Sequence, residues 1–198
     1  MHGKIYSIMC IGLQANKELI GQLMVLIASR CKPLYHTKLL KLLYIIDEEA
    51  TIKTGAPITW LTYNAWQYGP VAEDVYYSKN AGYNKFNKFV KFIYAGENKY
   101  IIKPVIEFND EEFSETDLTV IHEMLEKYGS KSTKELVGIT HANGSLWDQT
   151  IKREKIQFSE SNKTSDTALD FSELIEKDHF KKTIYYSVME NIELQATL

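Results

Sequence analysis

The stretch Leu34–Gly55, LYHTKLLKLLYIIDEEATIKTG, constrains the fold more than any other part of the chain. Tyr35, Leu39, Leu42, Leu43, Ile46 and Ala50 recur at helical spacing and form one stripe, which Leu40 and Ile45 widen. A helix that is apolar over so much of its circumference must be covered on several sides, so the rest of the chain is read as its covering. Gly55 supplies a C-terminal stop. The run Asp47-Glu48-Glu49 is read as solvated flank charge, with Glu48 opposite the stripe and Asp47 and Glu49 beside it. Asp47 lies on the flank of Leu40 and is the one placed to meet a polar partner at the core margin.

The covering follows from local signals. Asn16 caps a helix whose Leu19, Ile20, Leu23, Leu26 and Ile27 share a face, and which ends near Cys31-Lys32-Pro33, because proline disfavours helical geometry in the residue before it. After Gly55 the period changes to two across PITWLTYNAWQY, a strand pattern. FVKFIYAGENKYIIKPVIEF predicts a hairpin turning at Ala95–Asn98, with Pro104 at an edge or bulge. Three helices then carry their own caps: Ser114 with Asp117, Ser132 with Glu135, and Ser145 with Asp148. Ser159–Asp170 is polar and read as an exposed loop, and Phe171–Glu193 as a last helical region. The expected class is α+β, predominantly helical, with a helical core and a small antiparallel sheet of about three strands. Residues 1–15 are read as an N-terminal extension, 16–156 as the main domain, and 157–198 as a polar loop and helical region packing on that same domain.

Within TYNAWQYGPVAED, Gly69-Pro70 predicts an abrupt switch from strand to helix. Glycine tolerates the dihedrals of a corner, and Pro70 suits a first helical position because its missing N–H has no partner there. Glu73 and Asp74 then fall in the first turn, where the helix dipole favours negative charge. Architecture alone accounts for the corner; a binding surface built from the neighbouring aromatics is the functional alternative. Trp66, Tyr68, Tyr76 and Tyr77 are its candidates, since tyrosine and tryptophan carry large contact area with a polar tip.

Composition narrows the chemistry. A formal net charge of −3 sets up no strong field for nucleic acid or anionic lipid. Cys10 and Cys31 are in neither a CxxC nor a zinc-like spacing and are read as thiols in a reducing cytoplasm. No apolar run reaches the ~20 residues that span a bilayer, and the first fifteen residues lack a small-x-small cleavage site. Phosphate-cradling glycine loops, HExxH and GxSxG are absent, and the five histidines are scattered singly. No cofactor or metal is expected. An enzyme reading rests only on Asp47, Glu73 and His141 meeting near the corner. STKELVGITHANGSLWDQTIKRE has a helix-turn-helix outline, but Leu146, Trp147 and Asp148 are poor base readers, so a helix pair packing Trp147 on the core is preferred.

Two stretches, KLLKLLYIIDEEATIKTGAPIT…YGPVAEDVYYS and FSETDLTVIHEMLEKYGSKSTKELVGITHANGSLW, stand in the order of a known family, and the chain resembles the Panacea (SocA-like) domain over about Asn16–Ile156. The resemblance implies a phage-associated type of antitoxin domain, with no catalytic residues to carry over. It marks Lys41, Leu42, Tyr44, Gly55, Pro57, Tyr68, Gly69, Pro70, His141 and Trp147 as domain-defining and mainly structural. The implied function is neutralisation of a cognate, adjacently encoded protein toxin by direct binding in the cytoplasm. The alternatives are a proteolytic adaptor that delivers a toxin to a protease, using the Ser159–Asp170 loop or the C-terminal tail as a second surface, and a hydrolase-type enzyme.

Overall fold

Helix α1 (Lys17–Arg30) leads through β1 (Leu34–Tyr35) into α2 (His36–Thr54), the ribbon β2 (Tyr63–Trp66) and β3 (Gly69–Ala72), and the short α3 (Glu73–Tyr77). The hairpin β4 (Val90–Tyr94) and β5 (Tyr100–Pro104) follows, then α4 (Glu115–Tyr128), α5 (Thr133–Thr140) and α6 (Leu146–Arg153). A 3-10 turn (Phe171–Ile175) and α7 (His179–Ala196) complete the computed structural model, which describes residues 16–80 and 82–196. The N-terminal extension 1–15 and Cys10 lie outside the described residues.

Helix α2 is the axis. Every residue from Lys38 to Asp47 is buried, because α1, β1, β3, β5, α3, α4, α5 and the 3-10 turn all pack on it. Its end is set by Gly55 at φ +93°, whose N–H bonds Thr51 O. A Cβ built there would stand 2.9 Å from the Lys181 carbonyl oxygen, so the stop is also a close approach to α7. The caps form as the sequence implies: Asn16 Oδ1 accepts from Glu18 and Leu19, and Ser114/Asp117 and Ser132/Glu135 close reciprocal boxes. Ser145 caps α6, while Asp148 bonds Gly144 N and Lys152 instead of closing a box.

The class is α+β and helix-dominated, with a small three-stranded antiparallel sheet, but its strands are differently partnered from the sequence reading. Its order is β1-β5-β4, with Leu34↔Ile102 and Phe92↔Ile102 in register. The third strand is Leu34–Tyr35, read from sequence as helix; the aromatic strand 63–66 stands apart in a ribbon with β3. The β4–β5 turn falls at the expected place, with Gly96, Glu97 and Asn98 at positive φ, and Pro104 closes β5 opposite Val90.

Pro70 is a second correction. It lies inside β3 opposite Ala65, and helix α3 begins only at Glu73. The two-stranded ribbon leaves the edge of β3 free, so the missing N–H breaks no ladder bond there. The polar loop is exposed over 159–164, as expected, but its second half is held to the body. Ala65 N bonds Thr167 O, Gln67 N bonds Lys163 O and Leu169 N bonds Tyr63 O, so residues 163–169 run along the other edge of β2. Strand pairing, invisible in a Ser/Thr/Asn-rich composition, pulls the loop onto the body.

Gly21 lies under the buried ring of Phe89: a Cβ built there would come within 2.3 Å of the ring. Gly21→Ala is therefore expected to lower stability by about 1–2 kcal/mol, overpacking outweighing alanine's better helix propensity. Urea midpoints of the single variant and of Gly21→Ala/Phe89→Leu, in which the smaller side chain should restore stability, check the cause.

Candidate functional site

Residues far apart in sequence meet at the β2–β3 hairpin. Gly69, at φ +94°, turns the chain back at the point where three side chains crowd it: a Cβ built there would stand 2.9 Å from both His141 Cε1 and Lys41 Nζ and 3.0 Å from Thr140 Oγ1. Lys41, 1% exposed, donates from Nζ to Pro70 O at 2.8 Å. Burial lowers its pKa to about 7, since an ammonium loses hydration there without gaining an anion. His141 faces two carbonyl oxygens, Val137 O at 2.7 Å from Nδ1 and Gln67 O at 3.1 Å from Nε2. Its ring packs 4.1 Å from that of Trp147, whose Nε1 donates to Trp66 O at 2.9 Å. Lys41, Gly69, Pro70, His141 and Trp147 are thus one cluster that fastens the hairpin to α2, α5 and α6.

A second cluster surrounds Asp47, which is 0% exposed rather than a solvated flank. Its Oδ1 accepts from Ile58 N at 3.0 Å and Thr59 N at 2.9 Å; its Oδ2 accepts from Tyr63 Oη at 2.6 Å and from Thr59 Oγ1. Burial raises its pKa to about 6, although all four hydrogen bonds pull the other way. The carboxylate thereby pins the loop after Gly55, entered through buried Pro57, onto α2. Glu48 is half-buried and accepts from Tyr44 Oη at 2.7 Å, so it too is not free surface charge. The fully buried rings of Tyr44 and Tyr63 pack edge to face at 5.4 Å, and Phe171 stacks on Tyr63 at 5.6 Å, tying the 3-10 turn to this cluster. Leu42, also on α2, is fully buried.

Asp47, Glu73 and His141 share no hydrogen-bond partner among the described residues. Glu73 accepts from Asn64 Nδ2, and the other two are held in the separate clusters above. Nor, among the described residues, does any group of three or more His, Cys, Asp or Glu side chains stand ready to hold a metal ion. No described helix is long and apolar enough to cross a membrane.

The aromatic candidates divide. Tyr68 is 59% exposed at the hairpin turn and Tyr77 is 41% exposed, whereas Trp66 is only 8% exposed and Tyr76 is half-buried. Trp66, read from sequence as a surface residue, is instead the floor beneath Tyr76 and Tyr77, at ring distances of 4.8 and 6.4 Å. Lys79 Nζ lies 3.5 Å above the Tyr76 ring, a cation–π contact that no sequence spacing announces. Of the four buried side-chain polar atoms without a hydrogen-bond partner among the described residues, three belong to this hairpin: Asn64 Oδ1, Trp66 Nε1 and Gln67 Oε1.

Comparison with known proteins bears on this arrangement. Residues 39–148 match the family described as antitoxin SocA-like, Panacea domain. The antitoxin SocA of Caulobacter vibrioides (strain NA1000 / CB15N) is 29% identical over 118 residues, a match that spans 59% of this chain and 59% of that protein's length. No solved structure matches. The matched segment holds α2 beyond Lys38, the hairpin, His141 and Trp147, which are the parts that build both clusters.

Proposed function

The chain belongs to the antitoxin SocA-like, Panacea domain family, and from that membership we propose that it is an antitoxin that neutralises a protein toxin by direct, stoichiometric contact, without catalysis. The family match is the observation that carries this reading. The site chemistry supports it, because the buried ionisable groups Lys41 and Asp47 are consumed in holding loop and hairpin in place. The surface available for contact is Tyr68 at the hairpin turn and, on the adjoining α3, Tyr77, which packs on Trp66 and Tyr76. An exposed tyrosine on a fixed base, as Tyr77 is, loses little freedom on binding, and a few aromatic residues dominate the energy of a typical ~1,600 Å² interface.

The test is co-expression with the protein encoded beside this one. The antitoxin should restore growth and co-purify with its partner at a fixed ratio, and Tyr68→Ala/Tyr77→Ala should weaken the complex at least about ten-fold with an unchanged circular dichroism spectrum. Rescue without any complex would defeat the direct-contact reading. Rescue that requires a cellular protease and shortens toxin lifetime would establish delivery to proteolysis instead.

A further inference from the structure

A second surface, lined by none of the hairpin's residues, has a different chemical character. The end of α1, the turn into β1 and the α4–α5 corner enclose a cleft of about 1020 Å³. Arg30, Lys32, Lys38, Lys131 and Lys134 line it against two carboxylates, Glu126 and Glu135, in a chain whose formal net charge is −3. Glu135 is already committed to the Ser132 cap, and those bonds hold it below the usual carboxylate range. Lys38 is buried and donates to Gly129 O at 2.6 Å, whereas Arg30, Lys32 and Lys134 are exposed. None of the five cations forms a salt bridge among the described residues.

Tyr35 joins this cleft to the outer face of the three-stranded sheet. It lies in register with Ile101, and Ile101 with Ile93, so the three form one apolar rung; Tyr35 and Ile93 are 37% and 40% exposed. The next outward rung sets Lys91 directly opposite Lys103, both exposed. Like charges facing each other across a strand pair destabilise it, and a carboxylate placed between them would reverse the sign. The surface therefore runs from a lysine pair, over an apolar rung, into a cleft of cations.

We infer that this cleft and the sheet face beside it dock an acidic segment of the protein partner, carboxylates in the cleft and at the Lys91–Lys103 pair, and an apolar side chain against Tyr35 and Ile93. The inference rests on the antitoxin reading and adds where, and by what chemistry, a partner is held. A peptide fits better than a nucleic acid. Glu126 and Glu135 stand in the wall, where a continuous phosphate chain would meet like charge, and the apolar rung offers a polyanion nothing.

The experiment uses the full chain and a fluorescent fifteen-residue peptide of alternating Glu and Leu, with its Lys-for-Glu counterpart and a single-stranded oligonucleotide as competitors. The acidic peptide should bind with a salt-dependent affinity and shift backbone amide signals of residues 30–35, 91–103 and 129–135. Lys32→Glu/Lys131→Glu/Lys134→Glu should weaken it about ten-fold or more, and Lys91→Glu/Lys103→Glu independently should do the same. Wild-type affinity in either variant, shifts elsewhere, or tighter binding of the oligonucleotide would overturn the inference. In the co-expression assay, full protection by both folded variants also overturns it while leaving the antitoxin reading intact. Failure of the wild-type chain to protect sinks that reading, and the peptide measurements then decide the cleft by themselves.

Discussion

Asp47→Ala is expected to leave the protein largely unfolded at 37 °C. The substitution removes one acceptor group and strands four buried donors at once: the amides of Ile58 and Thr59 and the hydroxyls of Thr59 and Tyr63. At about 1–3 kcal/mol for each buried donor left unmade, the loss is about 4 kcal/mol or more, against a total of only ~5–15 kcal/mol for an ordinary domain. Asp47→Asn separates the charge from the hydrogen bonds. Asp47 has a folded pKa raised to about 6 from 3.8, so the native state holds the extra proton and this group's contribution falls as pH rises from about 4 to 6. His36, buried against Tyr76 and Phe92 and beside Lys79, has its pKa lowered from 6.5 to about 4, and its contribution rises over the same interval. The two slopes oppose each other in the wild-type chain. In Asp47→Asn the difference in stability from wild type should therefore shift in the variant's favour between pH 4 and 7, by roughly 2–3 kcal/mol. Urea denaturation across that range measures it, and a difference independent of pH would show that Asp47 does not titrate there.

Gly69→Val should be the most damaging change at the hairpin, costing about 3 kcal/mol or more. Two costs combine. A φ of +94° is strained for any residue with a Cβ, and most for a β-branched one, by about 1–2 kcal/mol. The new side chain would also meet His141, Lys41 and Thr140 at or under 3.0 Å, and overpacking of that kind costs ~1–3 kcal/mol. None of the three can simply swing aside. Lys41 is anchored on Pro70 O, His141 on Val137 O and Gln67 O, and Thr140 Oγ1 on Val137 O. Thermal unfolding with intrinsic tryptophan fluorescence reads the effect, because Trp66 and Trp147 are joined across this contact. Gly69→Ala should show a smaller loss of the same sign. A valine variant as stable as wild type would mean that the hairpin is not clamped at this point.

Both predictions concern residues whose roles were unevenly legible. Gly69 was readable as a backbone requirement, and Lys41, His141 and Trp147 as domain-defining positions, but nothing in their spacing says that they touch. Trp66 and Tyr68 are two residues apart and looked alike as contact residues. One became floor and the other surface, because α3 folds Tyr76 and Tyr77 over Trp66 while the turn holds Tyr68 outward. The basic cleft had no sequence signature at all, since its cations come from 30–38 and 131–134, brought together by the packing of α4 on α2.

The amino-acid sequence by itself determined the central place of α2, the caps of α1, α4 and α5, the stop at Gly55 and the β4–β5 turn. Each of these depends on residues within about four positions of one another, or on a periodicity that runs along a single segment. Tertiary structure alone decided that Asp47 is buried, that Pro70 lies in a strand, that β1 completes the sheet and that the polar loop lies along β2. Those outcomes depend on where donors and acceptors distant in the chain come to rest. A buried carboxylate or an unpaired strand edge is tolerable only when a partner arrives from elsewhere, and no local pattern encodes that arrival.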